Sequence, residues 1–192
     1  NYYYCLLIMS FKITGSGSCI PSVVKENSSF LNNSFYDECG NKFGIDNKTI
    51  IDKFNSITGI NQRKYANADL TTSDLAYIAA QSAIKDADID PEALDYIILA
   101  HNFGDITCNS KQIDTLPSLA SRVKSKLKIK NPKCIAYDIL FGCPGWVEGM
   151  IQAQAFIKAE MAKKCLVIGA DALSRVIDSH DRDSMIYADG AG

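Results

Sequence analysis

The sequence predicts an α/β fold in which helices cover a sheet, and three observations carry that prediction. Three apolar runs of strand length, DYIILA (95–100), KCIAYDIL (133–140) and KCLVIGA (164–170), are continuous rather than alternating, the pattern of strands covered on both faces. Segments with apolar residues at helical spacing separate these runs, so strand and helix alternate along the chain. The chain has 192 residues, 47% apolar and 22% charged, and a chain of that size buries a core without metal or disulfide staples.

The elements follow in order. NYYYCLLI (1–8), ahead of Met9, fits no later pattern and reads either as a leader outside the native start or as an extended first strand. FKITGSGSCIP (11–21) reads as a strand ending in a Gly-rich turn. Residues 22–48, rich in Asn, Ser and Asp, read as a long surface excursion with room for a helical turn. A short helix is expected over 49–57, stopped by Gly59. Thr71, Thr72, Ser73 and Asp74 offer capping oxygens to a second helix in which Leu75, Ile78, Ala79, Ser82 and Ala83 recur as far as about Asp88. Pro91 and Glu92 open a turn into the 95–100 strand. Further helices are expected over about 115–127 and over 145–164, on either side of the 133–140 strand, which reads as buried.

Composition excludes several function classes. Twenty basic residues nearly balance 22 acidic ones, for a net charge of -2, so no overall field draws the chain to nucleic acid or to an anionic membrane. The run from Arg122 to Lys133 is locally positive, but its lysines alternate with Val123, Leu127 and Ile129 as on an ordinary solvated helix face. The seven cysteines include no CxxC pair, which excludes zinc-ribbon and thioredoxin-type sites. A cytoplasmic location with reduced thiols, no membrane insertion and no bound metal are expected, so the sequons at Asn27, Asn32 and Asn47 stay unmodified. Gly15-Ser16-Gly17 is too short for a dinucleotide fingerprint.

The chemistry candidate is Cys143. Tyr137-Asp138-Ile139-Leu140-Phe141-Gly142-Cys143-Pro144-Gly145-Trp146 puts a thiol between the end of a strand and the start of a long helix, the architecture of a nucleophile elbow. Pro144 suits the first helical position, which would set Cys143 at or near the N-cap, where unpaired amides favour a thiolate. A buried small apolar residue is the competing reading. Cys134 and Cys165 lie inside apolar strand runs and read as core.

These residues resemble a family. ITGSGSCIP, Thr58-Gly59-Ile60, the YDILFGCPGW elbow, IGADALSR and the closing YADGAG are similar, in order, to the ketoacyl-ACP synthase III type of condensing enzyme. The resemblance implies a thiolase-like fold, with this chain as one αβα half of a layered α-β-α-β-α architecture and residues 9–192 as an N-terminal domain truncated before the second half. It implies Cys143 as the nucleophile that carries an acyl thioester, its own amide forming half of the oxyanion hole. A malonyl-ACP extender then loses carbon dioxide and condenses to 3-ketoacyl-ACP. By the same resemblance Leu116 reaches across a homodimer interface, Leu173 and Tyr187 line the acyl pocket, and Arg182 contacts a coenzyme A nucleotide. No cofactor is implied beyond substrates carried on coenzyme A or on the phosphopantetheine of acyl carrier protein, the expected partner.

Where the family carries a Trp and an Arg that clamp the coenzyme A adenine, this chain has Lys53 and Ile57, which favours an acyl-ACP primer. The family's catalytic His and Asn belong to the second half, and neither His101 nor His180 matches them, so residues 1–192 alone are expected to be inactive. Two other readings stay open: an HMG-CoA-synthase-like or secondary-product condensing enzyme, and a non-catalytic interaction subunit of the same fold.

Overall fold

The computed structural model describes residues 11–192; the 1–8 leader, Met9 and Cys5 lie outside the described residues. Four helices and six strands run in the order β1 (Val23–Glu26), α1 (Asn47–Thr58), β2 (Gln62–Tyr65), α2 (Thr72–Asp86), β3 (Tyr96–Ala100), α3 (Leu119–Lys126), β4 (Ile135–Ile139), α4 (Gly145–Lys158), β5 (Cys165–Ala172) and β6 (Asp189–Ala191). The main sheet has the order β4-β3-β5-β6, with β3 parallel to both β4 and β5, and β6 antiparallel to β5.

Side chains of the central strand alternate between two helical layers. Ile97 and Leu99 pack with Ala76, Ala80 and Ile84 of α2 and with Leu119, Ala120 and Val123 of α3. Tyr96 and Ile98 face the other way, toward Ala153 and Phe156 of α4. All five residues of β3 are buried, as a strand covered on both faces requires. The result is the expected αβα sandwich. Helix α4 lies close because Gly149 faces the sheet: a Cβ there would stand 2.8 Å from Val167 Cγ1.

Local signals placed three elements. Asp46 caps α1 through Thr49, and Gly59 ends it with φ 69. Thr71 and Asp74 form a reciprocal capping box at the start of α2. Ser118 caps α3, so that helix begins at Leu119 rather than near Thr115. Helix α4 ends at Lys158 rather than at Lys164; Glu160 follows in the left-handed region with φ 58 and turns the chain into β5.

Four expectations are corrected. Residues 11–18 form no strand; instead Gly15 and Gly17 run along α2 so closely that a Cβ on Gly17 would stand 2.4 Å from the Ala79 carbonyl oxygen. The 22–48 excursion is organised: β1 pairs antiparallel with β2, and Phe30 and Phe35 form a small core with Ile50, Ile51 and Met185. Among the described residues β4 pairs with β3 alone, so it stands at the edge of the described sheet with its side chains only half covered. Cys165 is half-buried rather than core, and burial raises its thiol pKa to about 11. Cys134 is buried as expected.

Half of the positive run around α3, Arg122, Lys124 and Lys126, is engaged within the protein. Arg122 pairs with Asp105 and Asp114, Lys124 donates to the carbonyls of Asn131 and Cys134, and Lys126 pairs with Asp74. A solvated face with structural anchors is what the geometry leaves.

Candidate active site

The carboxyl ends of the parallel strands are where open α/β sheets build their sites. Strand β4 stops at Ile139, and Leu140 and Phe141 are exposed beyond it. Gly142 then adopts φ 72, and its carbonyl accepts from the Gly145 amide at 3.0 Å, closing a tight turn with Cys143 and Pro144 at its corner. Pro144 is the N-cap of α4 rather than its first helical residue, and Cys143 stands next to the cap. The thiol is exposed, and its amide has no backbone acceptor among the described residues.

Cys143 opens on a cleft of about 330 Å³. One wall is Gly142, Cys143 and Trp146; the opposite wall is Gly169, Ala170 and Asp171 of β5 with Ala188 and Gly190–Gly192 from the closing segment. A larger groove of about 440 Å³ lies between the ends of α2 and α3 and shares no lining residue with it. The larger groove has no cysteine in its lining, whereas the smaller one does.

The floor of the site is pinned from both sides by two consecutive residues at the end of β3. His101, buried, accepts from the Gly104 amide at Nδ1, which leaves Nε2–H to donate to Asp138 of β4 at 3.0 Å. Asp138 also accepts from the Leu119 and Ala120 amides at the start of α3. Asn102 reaches the other way: its backbone amide and its Nδ2 donate to the two carboxylate oxygens of Asp171, at 2.9 and 2.6 Å. Burial raises the Asp171 pKa above the usual carboxylate range, against the lowering effect of those hydrogen bonds. Asp189, from the closing motif, holds Ala66 and Ser174 by their amides and so ties the far wall to β2.

The peripheral residues named from the resemblance stand apart from this cleft. Leu116 is 83% exposed ahead of α3. Leu173 is partly buried in a 3-10 turn after β5, and Tyr187 is exposed beside Ala188. The Arg182 guanidinium lies 4.6 Å over the Phe43 ring. Among the described residues no cluster of His, Cys, Asp or Glu could hold a metal ion, and no helix is long and apolar enough to cross a membrane. Asn102 and Asp171 escaped the sequence reading because they meet only through strand register.

The sandwich and the thiol at its carboxyl edge define the thiolase-like class. The family profile of 3-oxoacyl-[acyl-carrier-protein (ACP)] synthase III matches residues 137–192. The chain is 38% identical over 185 residues to beta-ketoacyl-[acyl-carrier-protein] synthase III 1 of Vibrio parahaemolyticus, covering 96% of this chain and 51% of that protein. It superposes on the crystal structure of 3-oxoacyl-[acyl-carrier-protein] synthase III from Aquifex aeolicus with a TM-score of 0.75 and 31% identity, over 94% of this chain and 51% of the other. The corresponding Thermus thermophilus structure gives 0.70 and 31%, over 94% and 49%. The chain is thus similar, over nearly all of its own length, to beta-ketoacyl-ACP synthase III proteins, and it spans about half the length of the curated relatives it matches.

Proposed function

We propose that residues 9–192 are the nucleophile-bearing domain of an acyltransferase that makes 3-ketoacyl-ACP by decarboxylative Claisen condensation. The observation that carries this reading is an exposed Cys143 at the corner of the β4–α4 turn, opening on a cleft beside a free backbone amide. The Cys143 thiolate attacks the carbonyl of an acyl thioester, and the carrier leaves as its thiol with the proton that Cys143 gave up. The Cys143 amide stabilises the oxyanion. Malonyl-ACP then loses carbon dioxide, the electron pair of the broken bond forms an enolate, and its carbon attacks the Cys143 thioester and frees the thiolate.

Acyl carrier protein is the proposed partner, and the relatives' names support it. No resident cofactor takes part: the acyl groups arrive on coenzyme A or on phosphopantetheine. Leu116 is proposed to cross a homodimer interface, consistent with its exposure; Leu173 and Tyr187 to flank the acyl chain; and Arg182 to meet the donor's phosphates. The free thiols fit a reducing cytoplasm. His101 is bonded at both ring nitrogens and His180 donates from Nδ1 to the Ser34 carbonyl, so neither is assigned to the malonyl group.

Mass spectrometry of the full-length protein after incubation with acyl donors tests the reading. An acyl adduct on the Cys143 peptide, absent in Cys143→Ala, is expected; an unmodified peptide with every donor overturns it. Product analysis with malonyl-ACP against acetyl-CoA separates it from an HMG-CoA-synthase-like reaction.

A further inference from the structure

Asp171 is the one carboxylate among the described residues that line the Cys143 cleft. It continues the β3–β5 register two residues past the last ladder pair, Ala100 with Gly169, and so lies level with Asn102. Both its oxygens are taken by Asn102, through the backbone amide and the side-chain Nδ2. With Nδ2 held on Asp171, the Asn102 side chain presents Oδ1 to the elbow: a Cβ on Gly142 would stand 3.9 Å from it. Gly142 is the residue whose φ of 72 aims Cys143.

We propose that Asp171 is a positioning residue: acting through Asn102, it fixes the Gly142–Cys143 turn so that the Cys143 amide stays aimed into the cleft. The proposal rests on the acyl-transfer reading above and adds residues that no thiol motif names. A burial cost accompanies the device, since Asp171 sits in a site that disfavours its charge. A carboxylate kept there despite that cost is accounted for by the two donors it orders. The groups facing it, His101 and Asp189 besides Asn102, come from β3 and from the closing strand.

The two reactions of a thiol separate this role from general support of the fold. Acyl transfer builds an oxyanion that needs the aimed amide, whereas alkylation by iodoacetamide needs the thiolate but builds no oxyanion. In the full-length protein, Asp171→Asn and Asn102→Ala are each expected to slow single-turnover acylation of Cys143 roughly ten-fold at saturating donor, with KM unchanged. Iodoacetamide alkylation of Cys143 stays no slower than in the native protein. The double variant is no worse than either single one, because the pair acts as one unit. Exposure of the buried Cys134 to iodoacetamide reports unfolding, and Asn102→Ala, which keeps the backbone bond to Asp171, carries the test if Asp171→Asn does not fold. Native acylation with unchanged acylation in Asn102→Ala overturns the positioning role alone, as do losses that multiply in the double variant. A native protein that accepts no acyl group overturns both readings.

Discussion

His101 and Asp138 are joined Nε2 to Oδ2 at 3.0 Å with the imidazole buried, and the same carboxylate receives the first two amides of α3. A residue pair that looks like an acid-base couple is therefore an anchor: it ties the end of β3, strand β4 and the start of α3 to one point. Asn in place of Asp138 would turn an amide N–H₂ toward a backbone N–H. Asp138→Asn is expected to lower stability by about 2–3 kcal/mol, read from urea unfolding, and a loss under about 0.5 kcal/mol would refute the anchor.

Gly142 and Gly149 set the elbow by different means. At φ 72, Gly142→Ala carries a strain of about 1–3 kcal/mol. Gly149→Ala pushes α4 off Val167 at a similar cost, about 1–3 kcal/mol. Thermal unfolding measures both; acylation of Cys143 is expected to fall in each, and native-like midpoints would refute the packing account.

Trp146 is the single tryptophan, and it shares the cleft with Cys143. Modification of Cys143 is expected to change its emission. Titration with iodoacetamide checks this, and an unchanged spectrum on complete Cys143 modification would contradict the shared cleft.

Two carboxylates give opposite pH signs. Burial would raise Asp74, yet Lys126 and the Thr71 bonds hold it below the usual range, so its stabilisation is present above the ordinary carboxylate pKa and is lost as pH falls through its own lower value. Asp171, raised, favours the folded state when protonated, and that contribution is lost as pH rises from the ordinary carboxylate range through its raised value. Unfolding free energies against pH are expected to lose the first dependence in Lys126→Met and the second in Asp171→Asn. Curves superposable on the native one would refute the assignments.

Leu116, Leu140, Phe141, Val147 and Ile151 leave apolar surface exposed along the β4–α4 side. Residues 1–192 in isolation are expected to bind ANS strongly or to aggregate; a monodisperse monomer with little dye binding would refute this.

Short-range chemistry made much of the molecule legible. The Thr71–Asp74 box, the Gly59 stop and the unbroken apolar run of β3 each act within a few residues, and each stands where the sequence predicts it. What escaped depends on distant partners. Strand β1 exists only because β2 lies 36 or more residues on, and the edge position of β4 follows from sheet order rather than from its own residues. Pro144 stands at the N-cap rather than at the first helical position, and the Gly142–Gly145 hydrogen bond closes the turn that holds Cys143 beside it.

The segment around Phe35 and Phe43 is stitched to the loop that leads into the far cleft wall: Tyr36 donates to the His180 carbonyl, Asn33 to that of Ser179, and Phe43 underlies Arg182. A protease cut in the polar hairpin at 37–41 would therefore slacken a wall more than a hundred residues downstream, coupling wear at the periphery to the shape of the Cys143 cleft.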